Sequence, residues 1–169
     1  MSSRDKILNS IKANQPELVS LPDVVWSTND FNTETFIATL KSIGGDVKFV
    51  ANEEWIQKDI EKTNSYESLE KIEVATIKGL IGVAENGAIW IDVDALSHRA
   101  IPFICQHLVI VLHEKNIVPT MHHAYSKIDV AAQGFGVFIA GPSKTADIEQ
   151  SLVIGAHGAR SLTVYIFRD

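Results

Sequence analysis

The sequence predicts an α/β domain built on a mainly parallel sheet, and three observations carry the prediction. Short apolar segments rich in β-branched residues alternate with stretches of helical spacing, the pattern of strand–helix–strand units. Two of these segments, His107-Leu-Val-Ile-Val-Leu-His113 and Phe135-Gly-Val-Phe-Ile-Ala140, are nearly unbroken apolar runs, as strands covered on both faces are. The chain has 169 residues, 46% hydrophobic and 21% charged, which suffices for one core.

The elements follow in order. Residues 3–14 form a short helix that Ser2 or Ser3 can cap, with Ile7, Leu8 and Ile11 on one face. Residues 15–32 contain Pro16 and Pro22 and follow no period, so they form an arm; with the first helix, this arm packs either on its own domain or on a partner chain. Thr33 caps a helix over 34–43 whose Phe36, Leu40 and Ile43 face inward, and Gly44-Gly45 ends it. Val47–Val50 is a strand, Asn52 opens a helix over 53–63, and Ile72–Ile77 is a second strand. Gly82-Val-Ala-Glu-Asn-Gly87 is a turn from which Ala88–Asp92 leaves as a strand. The strand His107–His113 is followed by a helix over 117–128, started near Pro119. The strand 135–140 turns at Gly141-Pro-Ser143 into a helix over 144–155, which Gly155-Ala-His-Gly158 ends. Leu162–Phe167 is the last strand. The organisation is an N-terminal helix and arm, 1–32, and one domain, 33–169.

Composition excludes several classes. Fifteen Lys and Arg against 21 Asp and Glu give a net charge of −6, without the basic surplus of a nucleic-acid binder. No apolar run approaches the ~20 residues of a membrane helix, and Met1-Ser-Ser-Arg-Asp-Lys6 lacks the apolar stretch of a secretion signal, so a cytoplasmic location is expected. The single cysteine, Cys105, permits no internal disulfide, no Cys-rich zinc site and no cluster held within one chain. Its apolar setting, Pro102-Phe-Ile-Cys105, favours packing over catalysis. Adjacent His122 and His123 would point about 100° apart on a helix, and no metal site is expected.

Three places can carry chemistry. A buried strand runs directly into Gly141-Pro142-Ser143-Lys144-Thr145-Ala146-Asp147. If a helix starts there, its free N–H groups and dipole can hold an anion, with Ser143 and Thr145 adding hydroxyl donors and Lys144 a charge. Equally, Ser143 or Thr145 can be a plain N-cap and Lys144 a solvated surface residue. Asp147 suits a helix start but would compete with a bound anion. The Gly and Lys spacing is not that of a Walker loop. At Ala84-Glu85-Asn86-Gly87 the Asn-Gly pair makes a tight turn with Glu85 at its edge, placed either as a nucleophile or base or as an exposed turn residue. His157, between Ala156 and Gly158 at a predicted helix end, can face a ligand or satisfy the last carbonyls.

The segment Gly141-Pro-Ser-Lys-Thr-Ala-Asp-Ile-Glu-Gln150, continued by Leu152-Val-Ile-Gly155-Ala-His-Gly158, resembles the lactate utilization (LUD) domain, most closely its small lactate utilization protein C, or YkgG, group. The turn Gly82–Gly87 resembles the family's other motif, an Ala-Glu pair before a small residue and Gly. Lys144 stands where the family usually has Arg, and Ala159 where it often has Pro. The resemblance implies a three-layer α/β/α sandwich like the NagB/RpiA/CoA-transferase group. It further implies participation in oxidising L-lactate to pyruvate beside iron–sulfur partner subunits. The leading expectation within that pathway is an accessory subunit that binds a small carboxylate or phosphate-bearing ligand at the Gly141–Thr145 turn, with Glu85 and His157 lining the same crevice. It names no cofactor, and a homo-oligomer is compatible with it. Glu85-Asn86-Gly87 is also similar to the turn carrying the nucleophilic glutamate in part of the CoA-transferase group, which gives the alternative of an acyl-transferring enzyme. A ligand-free interaction module is a third reading.

Overall fold

Parallel pairing between residues far apart in the chain organises the molecule. The structure is a computed structural model describing residues 2–20, 22, 31–51, 54–66, 68–129, 134–146, 152–155 and 157–168. Its helices are α1 (Ser3–Ala13), α2 (Thr33–Ser42), α3 (Glu54–Asn64), α4 (Ile101–Ile104) and α5 (Met121–Tyr125). Its strands are β1 (Asp46–Val50), β2 (Val74–Lys78), β3 (Ile81–Val83), β4 (Ile89–Asp92), β5 (His107–His113), β6 (Ile117–Val118), β7 (Gly136–Ile139), β8 (Lys144–Ala146), β9 (Leu152–Ile154) and β10 (Ser161–Phe167).

Sheet 1 has the order β1-β10-β5-β2 and every neighbouring pair is parallel. Alternation along its strands sets its two faces. Leu108, Ile110 and Leu112 of β5 are buried in register with Leu162, Val164 and Ile166 of β10 and, for the first two, Ala75 and Ile77 of β2. This inner face shares one core with Phe36 and Leu40 of α2 and with Ile89 and Ile91 of β4. On the outer face Val109, Val111, Thr163 and Tyr165 are half-buried. There α3 packs beside β2, and the face's exposed polar residues include Asp46, Lys48, Lys78 and His107.

The outer layer is pinned by one buried hydroxyl. Thr63, 2% exposed, accepts a hydrogen bond from the Thr76 N–H at 2.9 Å and donates to the Asp59 carbonyl at 2.9 Å. Thr63→Val keeps the shape but leaves that N–H unsatisfied. It is expected to lower stability by about 1–3 kcal/mol in a urea titration, with Thr63→Ser near wild type.

Sheet 2, order β6-β3-β4-β7, is mixed: β3–β4 and β4–β7 are antiparallel and β3–β6 parallel. The mainly parallel sheet predicted from sequence is therefore sheet 1, and sheet 2 completes the α/β architecture beside it.

Several local expectations are corrected. Asn32, not Thr33, caps α2, its Oδ1 accepting from the Thr35 N–H at 2.9 Å. The predicted helix over 117–128 divides into the two residues of β6 and the short α5, because a residue preceding proline is held extended and Val118 instead pairs with Val83. The predicted helix over 144–155 is replaced by β8 and β9, which pair antiparallel with Lys144 opposite Ile154 and Thr145 opposite Val153. The intervening residues, Asp147 among them, lie outside the described residues, as does Asn52. Helix α1 keeps its predicted place, with Ser2 and Asp5 forming a reciprocal capping box. It buries none of its side chains: Ile7 is 61% and Ile11 54% exposed.

Candidate functional site

Two turns meet at the carboxyl end of α2. After β3 the chain reverses within four residues: the Gly87 N–H donates to the Val83 carbonyl at 2.9 Å and the Ala88 N–H to the Asn86 side chain at 3.0 Å. Gly87 takes φ +69°, the left-handed region that glycine enters without steric cost. A β-carbon there would stand 3.2 Å from the Leu40 backbone and 3.3 Å from Ile43 Cδ1. After β7 the chain turns at Gly141, φ +74°, where a β-carbon would stand 2.9 Å from the Ile43 carbonyl oxygen and 3.4 Å from the same Ile43 Cδ1. The Ala-Glu-Asn-Gly turn and the Gly-Pro-Ser turn are thus seated on one residue.

Their functional side chains then diverge. The Glu85 carboxylate accepts the Met121 N–H at 2.6 Å, at the first residue of α5. The Glu85 N–H donates to the Pro119 carbonyl at 3.1 Å. Glu85 therefore anchors the β6–α5 connection, a capping task that a carboxylate performs well.

Ser143, Lys144 and His157 come together instead. They line a cavity of about 360 Å³ whose apolar walls include Pro102 and Phe103 of α4 and Val137 and Ile139 of β7; Glu85 is not part of the lining. Backbone bonds fix the geometry. The Ser143 N–H donates to the Ala159 carbonyl at 2.9 Å, and the Ser143 carbonyl accepts the Gly155 N–H at 3.1 Å. Gly158 admits this approach, since a β-carbon there would be 3.1 Å from Ser143 Cβ. Gly141 belongs to the same lining, and its lack of a side chain lets the turn lie against α2. Lys144 Nζ would be 3.4 Å from a β-carbon on Gly44, just past the end of α2, where the helix dipole favours a positive charge. Thr145 continues β8, and Asp147 lies outside the described residues.

No helix starts at this turn among the described residues; three polar side chains, those of Ser143, Lys144 and His157, share the cavity lining with an apolar wall. The wall residues Pro102 and Phe103 were missed from sequence, where the segment Pro102-Phe-Ile-Cys105 carries only a packing signal. Cys105 is 1% exposed and burial pushes its thiol up to about 11, so it is neutral and not nucleophilic near pH 7. Among the described residues no three His, Cys, Asp or Glu side chains are grouped to hold a metal. No described helix is long and apolar enough to cross a membrane.

Comparison with known proteins bears on this arrangement. The sequence model of the LUD domain matches residues 46–167, a span that contains both turns. Lactate utilization protein C of Oceanobacillus iheyensis is 29% identical over 106 residues, covering 59% of this chain and 45% of that protein. Lactate utilization protein C of Bacillus pumilus is 34% identical over 82 residues, covering 45% and 34%. That of Macrococcus caseolyticus is 23% identical over 167 residues, covering 87% and 72%. In the first two of these the matched region spans less than half of the relative's length. The crystal structure of a DUF162 family protein from Deinococcus radiodurans shares the fold, with a TM-score of 0.56 at 16% identity, over 79% of this chain and 94% of that one.

Proposed function

The chain belongs to the LUD domain family, and from that premise we propose that it is a non-redox accessory subunit of lactate utilization that binds a small carboxylate between Ser143, Lys144 and His157. The single observation that carries the ligand reading is the convergence of these three side chains on one cavity. The relatives' shared name supports the pathway. In this reading the Lys144 ammonium and the Ser143 hydroxyl bind the carboxylate through charge-assisted hydrogen bonds. His157, at the cavity mouth, faces the ligand's second oxygen function, and Phe103 with Val137 receives its carbon end.

Oxidising lactate to pyruvate removes two electrons and two protons, and a single cysteine cannot supply the thiolates that hold an iron–sulfur cluster. Cys105 is the only cysteine and is buried. The iron–sulfur chemistry belongs to partner proteins, for which this chain holds or presents the carboxylate. A phosphate-bearing ligand would use the same three groups.

Calorimetry with L-lactate, pyruvate and inorganic phosphate tests the site. Lys144→Met is expected to weaken the bound anion at least tenfold, about 1.4 kcal/mol. Equal affinity in wild type and variant would sink the assignment. The pathway is tested separately: tagged protein from lactate-grown cells should recover an iron–sulfur protein, and a deletion strain should grow poorly on lactate. Normal growth with no such partner recovered overturns that part.

A further inference from the structure

A second cavity lies on the opposite face of sheet 1, at the carboxyl ends of three parallel strands. Its floor is made by the last residues of β2, β5 and β10, Lys78, His113 and Phe167, and its roof by Ile56, Gln57 and Ile60 of α3. The volume is about 330 Å³, at the lower end of the range of small-ligand pockets. Crevices at the carboxyl ends of parallel strands are where open α/β sheets bind ligands. This one is separate from the Ser143–His157 cavity and shares no lining residue with it.

Lys78 and Lys115 line it with His113, and the described lining residues include no carboxylate. Glu114, between His113 and Lys115, is engaged elsewhere: both of its oxygens accept from Arg168, at 2.7 and 2.9 Å. The His113 ring is oriented, its Nδ1 accepting the Lys115 N–H at 3.2 Å and its face set edge-on to Phe167 with centroids 5.1 Å apart. Ile56, Ile60, Val111 and Phe167 supply apolar surface around Lys78 and Lys115.

The cavity also has a direction. Gln57, Ile60 and Lys78 form a common wall with an adjoining hollow of about 310 Å³ that Leu80, Ala95 and Leu96 make more apolar. Asp92 stands in that second hollow and disfavours negative charge there. We propose that this cleft between α3 and sheet 1 is a second binding site, for an organic anion whose charged head meets Lys78 and Lys115 and whose uncharged apolar body extends along α3 toward Leu80 and Leu96.

The test is an NMR titration of the whole chain with hexanoate, hexyl phosphate and neutral hexanol, followed at the Gly79 and Asn116 amides. Either anion is expected to shift both amides and to bind at least tenfold more tightly than hexanol; the tighter of the two identifies the head group. The double variant Lys78→Met, Lys115→Met, both changes being at exposed side chains, is expected to lose at least tenfold in that affinity. Ser143→Ala with Lys144→Met is expected to leave it unchanged, so failure here is distinguishable from failure at the other cavity. The proposal is overturned if the two amides stay still at millimolar anion, if the Lys78/Lys115 variant binds as wild type does, or if hexanol binds equally well.

Discussion

Phe36→Ala is expected to lower the unfolding free energy by about 3–5 kcal/mol, the cost of truncating a buried aromatic side chain. Domains are stable by only about 5–15 kcal/mol in total, so this variant should be near the limit of folding. Phe36 is completely buried and stands where α2, sheet 1 and sheet 2 meet. A β-carbon on Gly82 of β3 would lie 3.3 Å from Phe36 Cε2 and 2.6 Å from Leu112 Cδ2, so all three elements are already in close contact there. The hole left by truncation is bounded by two sheets that cannot both move inward, and little of it can collapse. Urea unfolding followed by circular dichroism measures the loss. A loss below about 1 kcal/mol would mean that α2 is not the wedge between the sheets.

Gly141→Val is expected to abolish the anion binding proposed for the Ser143 cavity and to destabilise the chain as well. At φ +74° a β-branched residue is strained by about 1–3 kcal/mol. The added atoms would also meet the Ile43 carbonyl oxygen, whose approach at 2.9 Å from the β-carbon forces the turn off α2 at a further cost of about 1–3 kcal/mol. Ser143 and Lys144 follow within three residues, so the displaced turn carries them away from His157. Thermal unfolding with and without L-lactate, pyruvate and phosphate separates the two effects: the variant should melt lower and show no ligand-induced rise where wild type does. A folded variant that retains the full ligand shift would show that the turn does not position these groups.

How much of this was readable in the sequence depends on whether the determining interaction is local. The Ser2 cap of α1, the inward residues Phe36 and Leu40, the apolar run of β5 and the Asn86-Gly87 reversal all rest on neighbours a few residues apart, and each is found where the sequence places it. The segment 144–155 is different. Ala146, Ile148, Glu149, Gln150 and Leu152 have helical composition and Gly155 supplies a stop, yet Lys144–Ala146 and Leu152–Ile154 pair with each other as strands. Tertiary pairing overrides propensity there, and the helix start on which the expected anion site depended gives way to β8. Glu85 shows the same limit. Its turn was legible, but its partner is an N–H 36 residues away, at the start of a helix whose first residue was itself placed differently. The second cavity could not be foreseen, because Lys78, His113 and Phe167 become neighbours only through the parallel register of β2, β5 and β10.

That register also fixes the order in which the molecule can be completed. β10 lies between β1 and β5, pairing Asp46 with Thr163 and His107 with Ser161, yet it follows both in the chain. While a ribosome is still making residues 161–167, β1 has no strand beside it and β5 presents one bare edge. The closure joins positions more than a hundred residues apart, a non-local step of the kind that slows folding. A nascent chain must therefore shield that apolar edge until β10 arrives, and stalled or slowly translated products are the ones expected to need chaperone protection.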